Sequence, residues 1–201
     1  MSVSAATSCV YLIDDDDLIL SLHAELLGTL GFEVRSFHGS RAFLACYVRG
    51  PCECILCDLR MPEVDGLQLQ EQLLARGIDT PIIFITGHAD VATAVEAMRR
   101  GAFDYVEKPV HARHLQERVN AALARSAELQ RVRREHLARQ ARLAALTAQE
   151  RRIAEWVVQG KSSRDISELA AISVRTVENH RARIMDKLSV GSVAELVRIL
   201  L

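Results

Sequence analysis

Over its first 124 residues the chain alternates short apolar runs with amphipathic stretches, the pattern of a parallel sheet wrapped by helices. Val10 to Ile13 reads as a first strand, and Leu18 to Leu30 as a helix stopped by Gly31. Phe32 to Phe37 is a second strand, Ala42 to Val48 a short helix, and Cys54 to Cys57 a third strand ending at Asp58. Leu67 to Ala75 reads helical, Pro81 to Ile85 extended, Val91 to Arg100 helical up to Gly101, and Asp104 to Val106 extended. A further helix starts near Ala112. Five strands alternating with five helices predict a doubly wound domain, whose sites form beyond the carboxyl ends of the strands.

From about Ser126 to Arg142 the strand signals vanish. Arg125, Arg131, Arg133, Arg134, Arg139 and Arg142 alternate with Ala, Glu and Gln, good helix formers, without Pro or Gly. Leu129, Val132, Leu137 and Ala141 make too ragged a stripe for a firm coiled coil. The segment reads as a helical linker, compatible with continuing the helix before it. From Leu146 onward everything is helical. Thr147–Glu150 and Ser192–Glu195 have the form of capping boxes, and Ser162 and Ser173 are caps for two helices between them. Four short helices there predict a small bundle.

Charge sharpens this division. Residues 1–124 carry 17 acidic and 10 basic side chains, whereas residues 125–201 carry 9 and 15, so a net −1 conceals an acidic half and a basic half. Such asymmetry points to two domains with different partners, the basic one a candidate for nucleic acid. Met1 to Ser8 lacks the basic-then-apolar order of a secretory signal. No apolar run approaches the roughly 20 residues of a membrane span, so a cytoplasmic location without membrane contact is expected. The five cysteines, Cys9, Cys46, Cys52, Cys54 and Cys57, are then most simply free thiols. Cys52-x-Cys54-x-x-Cys57 invites a metal, but no second cluster completes a four-ligand set, and residues 54 and 57 fall in a predicted buried strand.

The chemistry gathers at the predicted strand ends. Asp14 and Asp15 follow the first strand, Asp58 the third, Thr86 the fourth and Lys108 the fifth. A doubly wound sheet brings these positions to one pocket. Clustered carboxylates are a hard, oxygen-only site suited to Mg²⁺. Such an ion offsets the charge of an incoming phosphoryl group, Lys108 can pair with its oxygens, and Thr86 can donate to it. Asp58 is the expected nucleophile, giving an aspartyl phosphate. Singly, each residue has a plain structural reading, Asp14 to Asp17 as a helix cap above all; together at the ends of four strands they do not.

Residues 9–124 resemble the receiver domain of two-component response regulators, through Leu12-Ile-Asp-Asp-Asp16, Cys57-Asp-Leu-Arg-Met-Pro62 with Gly66, Ile85-Thr-Gly-His88 and Glu107-Lys-Pro109. Gly87-His-Ala-Asp-Val91 and Ala94-Val-Glu-Ala-Met98 are similar to the FixJ-like branch. The resemblance implies that Asp15, Asp58 and the Arg60 carbonyl bind Mg²⁺, with Asp14 reaching it through water. It implies that Thr86 and Tyr105 form a switch couple, and that Lys108–Pro109 is a cis peptide. Val110 stands where Phe is common. The FixJ-like likeness further implies a dimer face on the fourth helix and fifth strand, including Val95, Arg99 and Asp104.

In the basic half, Ser162 to Ala170 and Ser173 to Leu188 read as two helices joined by a tight turn at Ala171-Ile172. Val177, Ile184 and Leu188 recur at helical spacing and predict an inward face. The opposite face presents Arg175, Glu178, Asn179, Ala182 and Arg183. Asn can read adenine, Glu can accept from cytosine, and Arg can hold phosphate or guanine. An ordinary protein-binding bundle would also have a polar face. Residues 143–201 resemble the LuxR-type helix-turn-helix, through Leu146-Thr-Ala-Gln-Glu-Arg151, Gly160-Lys-Ser-Ser-Arg-Asp-Ile166, Ile172-Ser173, Thr176-Val-Glu-Asn-His180 and Ile184-Met-Asp-Lys-Leu188. This resemblance implies a recognition helix in the major groove and adds Lys161, Arg164 and Thr176 to the DNA-contacting set. Two departures stand out: Ala170-Ala171 replaces the usual Leu-Gly, and Ser167 a common Ala. Leu169 is expected to supply part of the missing packing.

The sequence therefore predicts an α/β, flavodoxin-like receiver domain over 9–124 after a short tail at 1–8. A helical linker over 125–142 and an all-α four-helix DNA-binding domain over 143–201 follow. The expected protein is not an enzyme but a transcription regulator. A sensor histidine kinase would phosphorylate it on Asp58; it would dimerise when phosphorylated and bind double-stranded promoter DNA, with RNA polymerase a further candidate partner. Two rivals are weighed. A phosphatase of the haloacid-dehalogenase type would use Asp14 as nucleophile, but Leu18 stands where it needs Thr or Val, and no later acidic pair is found. A receiver acting through protein binding alone would use the tail as a docking bundle.

Overall fold

A computed structural model describes residues 8–87 and 90–200. The first seven tail residues and His88-Ala89 of the predicted Gly87–Val91 motif lie outside the described residues. The chain divides into two compact units, with the boundary between Arg131 and Val132.

In the first unit the strands β1 (Cys9–Asp14), β2 (Glu33–His38), β3 (Glu53–Asp58), β4 (Ile82–Thr86) and β5 (Asp104–Glu107) form one sheet in the order β2-β1-β3-β4-β5. Every neighbouring pair is parallel. The central strands β1, β3 and β4 are buried along their whole length, which is why they read as continuous apolar runs. Strand alternation splits their side chains between two layers. Tyr11, Ile13, Ile55, Cys57 and Phe84 pack on one face against α2 (Ser40–Cys46), α3 (Gly66–Ala75) and α4 (Val91–Arg99), through Phe43, Leu69, Leu73 and Ala97. Val10, Leu12, Cys54, Leu56, Ile83 and Ile85 pack on the other against α1 (Asp17–Thr29) and α5 (Ala112–Ala144), through Leu20, Leu27, Leu115 and Val119. Cys54 and Cys57, an odd number of residues apart, thus point to opposite faces and cannot share one ion.

The elements depart from expectation mainly at their ends. Phe32 and Pro81 precede their strands, and α2 starts two residues earlier than predicted, at Ser40. Asp14 and Thr86 are the last residues of their strands rather than the first beyond them, and Asp58 ends β3. The helical linker read from the sequence is continuous with the helix before it, and α5 runs as one helix to Ala144. Ser126 does not behave as a solvated linker residue: it is buried, and its hydroxyl accepts a 3.0 Å bond from the Glu53 N–H.

In the second unit α6 (Ala148–Val158), α7 (Ser163–Ala170), α8 (Val174–Leu188) and α9 (Val193–Leu200) enclose Ile153, Ala154, Val157, Ile166, Val177, Ile184, Leu188 and Leu196. Thr147–Glu150 closes a reciprocal capping box, Ser162 closes another with Asp165, and Ser173 caps α8. At α9 the predicted box is displaced. Ser192 accepts from the Glu195 N–H, but the Glu195 carboxylate reaches back one residue further, to the Gly191 N–H at 2.8 Å. Leu169 does not pack as expected: it is 51 % exposed. Ala171 adopts the left-handed conformation, φ 53° and ψ 41°, that a glycine usually supplies at such a turn.

Candidate functional site

The site is built where β1 and β3, neighbours in the sheet but separated in sequence by β2, end side by side. This is the point of strand-order reversal at which doubly wound sheets bind ligands. Asp14 and Asp58 are both buried there. Two buried carboxylates repel each other, and the Lys108 ammonium offsets this by donating 2.8 Å to Asp14 Oδ2 and 2.7 Å to Asp58 Oδ1. Burial alone would lower the Lys108 pKa, but its hydrogen bonds to the two aspartates and their charges outweigh it and hold the ammonium above its ordinary value. Backbone amides take the remaining oxygens: Asp16 N–H donates to Asp14 Oδ1 and Arg60 N–H to Asp58 Oδ2 at 2.7 Å.

Thr86 is buried at the end of β4, and its carbonyl accepts a 2.8 Å bond from the Lys108 N–H, which fixes the start of the loop after β5. Lys108–Pro109 is cis. Tyr105 lies half-buried on β5 beside Phe84, and its hydroxyl is enclosed without a hydrogen-bond partner among the described residues. The predicted couple of Thr86 and Tyr105 is therefore not hydrogen-bonded. Asp15 is half-buried and carries no hydrogen bond or ion pair among the described residues. Asp16, read as one of several capping carboxylates, is the N-cap of α1 and accepts from the Leu18 and Ile19 N–H groups. The floor of the site is tight. A Cβ on Gly66 would stand 2.8 Å from the Asp58 carbonyl oxygen and 2.8 Å from the Phe84 ring.

Sequence reasoning missed His23. It is buried on the inner face of α1, its Nδ1 has no hydrogen-bond partner among the described residues, and burial, then the Lys108 charge, lowers its pKa. The spacing of Leu20, His23 and Leu27 was the available signal, since it places all three on one helical face.

On α8, Val177, Ile184 and Leu188 face inward as predicted. Arg175, Glu178, Asn179, Ala182 and Arg183 are exposed, as is Arg164, while Thr176 and Lys161 are half-buried. Thr176 is engaged locally with the Ser173 hydroxyl, and Glu178 accepts from the Ser163 hydroxyl, which ties α8 to α7. The Lys187–Glu150 ion pair, 2.7 Å, ties α8 to α6. Neither cross-helix tie is visible in the sequence. Of the predicted dimer-face residues, Val95 and Arg99 are exposed on α4. Asp104 is half-buried and pairs with Arg118 at 3.2 Å.

Comparison with known proteins converges on both units. A family model for the response regulator receiver domain matches residues 10–120, and one for bacterial regulatory proteins of the luxR family matches residues 144–200. The transcriptional regulatory protein FixJ of Azorhizobium caulinodans is 41 % identical over 192 residues, 96 % of this chain and 91 % of that protein. The tetrathionate response regulatory protein TtrR of Salmonella typhimurium is 40 % identical over 189 residues, 94 % of this chain and 90 % of that one. Among solved structures, the response regulator StyR superposes with a TM-score of 0.89 at 34 % identity, covering 97 % of this chain and 98 % of that one.

Proposed function

This chain belongs to the two-component response regulators that join a receiver to a LuxR-type DNA-binding domain, a family of transcription regulators, and on that footing we propose that Asp58 is its phosphoacceptor. The observation that carries this reading is the Asp14–Lys108–Asp58 bridge at the strand-order reversal. A sensor histidine kinase is the phosphodonor: an Asp58 oxygen attacks phosphorus, the bond to the donor imidazole breaks, and the acyl phosphate is left on Asp58. Lys108 would then pair with phosphoryl oxygens, and Thr86 would donate to them.

The donor set fits a hard cation. It is all oxygen, and the Asp15 carboxylate has no competing partner among the described residues. Among those residues no three metal-ligating side chains are drawn together, and Asp14 and Asp58 pair with Lys108. Asp15, Asp58 and the Arg60 carbonyl would hold Mg²⁺, with Asp14 through water. When bound, the ion neutralises charge on the phosphoryl group. Thr86 and Tyr105 would carry the change outward as a population shift toward a dimer through Val95, Arg99 and Asp104.

Arg175, Thr176, Glu178, Asn179, Ala182 and Arg183, with Lys161 and Arg164, would meet promoter DNA. We assign residues 9–124 to the receiver, 125–142 to the linker and 143–201 to the DNA-binding domain, in a cytoplasmic protein without enzymatic turnover. No described helix is long and apolar enough to cross a membrane. Acetyl phosphate with Mg²⁺ should add one phosphate by intact mass, and Asp58→Asn should abolish the gain. Full retention of the added mass by Asp58→Asn would overturn the assignment.

A further inference from the structure

We propose that the cleft at the amino-terminal end of the sheet, opposite the Asp58 pocket, is a binding site for a small hydroxylated aromatic carboxylate. The ligand hydroxyl donates to Gln70 Oε1, the ring lies on the apolar walls, and the carboxylate pairs with Arg125.

The cleft lies wholly within the first unit. Parallel strands carry Asp14, Asp58 and Thr86 to one end of the sheet, whereas Ile82 begins β4 and Phe103 immediately precedes β5 at the other. The cleft therefore shares no residue with the phosphate site. It encloses about 360 Å³, at the small end of ligand sites. Leu73, Ile78, Pro81, Ile82 and Phe103 supply apolar walls, and α5 closes one side with Arg125 and Leu129. Leu74, on α3, is 51 % exposed and Leu129 is half-buried, and neither belongs to the two layers of the sheet core. A ring in the cleft would cover both.

The polar groups of the lining select the ligand. Gln70 is only 2 % exposed, and its Nε2 donates to the Arg100 carbonyl at 3.2 Å. Its Oε1 is buried without a hydrogen-bond partner among the described residues. Turning the amide over would set oxygen against that carbonyl, so its orientation is fixed and the open position is an acceptor. Buried acceptors are nearly always paired, so a donor is called for. Arg125 is exposed and makes no hydrogen bond or ion pair among the described residues. Glu128, whose carboxyl feels the Arg125 charge, is paired with Arg131 at 2.7 Å. Asp79, the other charged residue of the lining, pairs with Arg49 at 3.0 Å. One acceptor thus lacks a donor and one cation lacks an anion, on facing helices with apolar walls in common. An aromatic ring joins a hydroxyl to a carboxylate with few rotors to freeze, which suits a site of this size.

The test is calorimetric titration of the full chain with three probes: 4-hydroxyphenylacetate, phenylacetate, which lacks the donor, and 4-hydroxyphenylethanol, which lacks the charge. Wild type should bind the first about tenfold more tightly than either of the others. Gln70→Leu should erase the preference for the hydroxyl, and Arg125→Ala the preference for the carboxylate, while both variants keep the wild-type melting temperature. Arg125 is exposed, so Arg125→Ala decides alone if Gln70→Leu does not fold. A wild type that binds none of the probes at millimolar concentration overturns the proposal, as does one that binds all three equally. A preference that survives in the folded variant meant to remove it overturns it too, by placing the ligand elsewhere.

Discussion

Glu150 is buried yet charged, because the Lys187 ammonium donates to Oε2 at 2.7 Å and the Thr147 N–H at 2.8 Å. The Lys187 bond first, and the Thr147 amide second, hold its pKa down at about 2. A depressed carboxylate contributes stability above its unfolded value, near 4.5, and the contribution is lost as pH falls through the folded value. The DNA-binding unit should therefore lose stability between about pH 4.5 and 2. Glu150→Gln should cost about 1–2 kcal/mol at neutral pH and flatten that acid limb. Denaturant melts of the two proteins across pH check this, and parallel curves would count against it. The ion pair joins residues 37 apart, which explains why the sequence disclosed Glu150 only as a capping residue.

At the scale of elements, two backbone positions carry opposite predictions. Gly66 begins α3 and donates its N–H to the Leu59 carbonyl at 2.9 Å, so the helix and the loop after Asp58 touch through backbone. Gly66→Ala must displace the Asp58 carbonyl or the Phe84 ring, at a cost of about 1–3 kcal/mol, and should slow phosphate uptake as Asp58 shifts. Unchanged uptake kinetics would show that the loop yields freely. Ala171 is the converse, an alanine held in left-handed backbone, so Ala171→Gly should stabilise the unit by about 1 kcal/mol. A melting temperature higher by about 4–8 °C is the expected readout. Most elements were legible in the sequence because strands buried on both faces and amphipathic helices leave different periodicities. The pocket was legible because Asp14, Asp58, Thr86 and Lys108 all sit at strand ends. Contacts set by tertiary packing were not legible, as with Ser126 under Glu53, Glu178 on Ser163 and Asp104 on Arg118. Leu169 was misjudged because helical spacing alone does not say whether a rim position has anything to pack against.

At the scale of the molecule, an acidic receiver half and a basic DNA-binding half share one chain, and on the reading proposed above two recognition helices would reach two half-sites about one helical turn apart. A dimer would supply this, and on the proposed reading α4 would be its surface. Val91 is 80 % exposed, Val95 45 % and Met98 46 %, and Ala94, Val95, Met98 and Arg99 line a shallow open depression. Contiguous exposed apolar side chains of this kind mark association sites. Asp104 is spoken for by Arg118, so it joins the interface only by giving up that pair, whereas the α4 residues have nothing to surrender. Light scattering of the full chain should show monomer without phosphodonor and a doubled mass with it. Val95→Asp should still take up one phosphate yet remain monomeric, because a carboxylate would be buried unpaired at the interface. Asp104→Ala should weaken the dimer less than Val95→Asp does. A wild-type mass that stays unchanged on phosphorylation, at concentrations well above those needed for DNA binding, would remove dimerisation from the mechanism. A Val95→Asp protein that dimerises normally would instead move the interface away from α4.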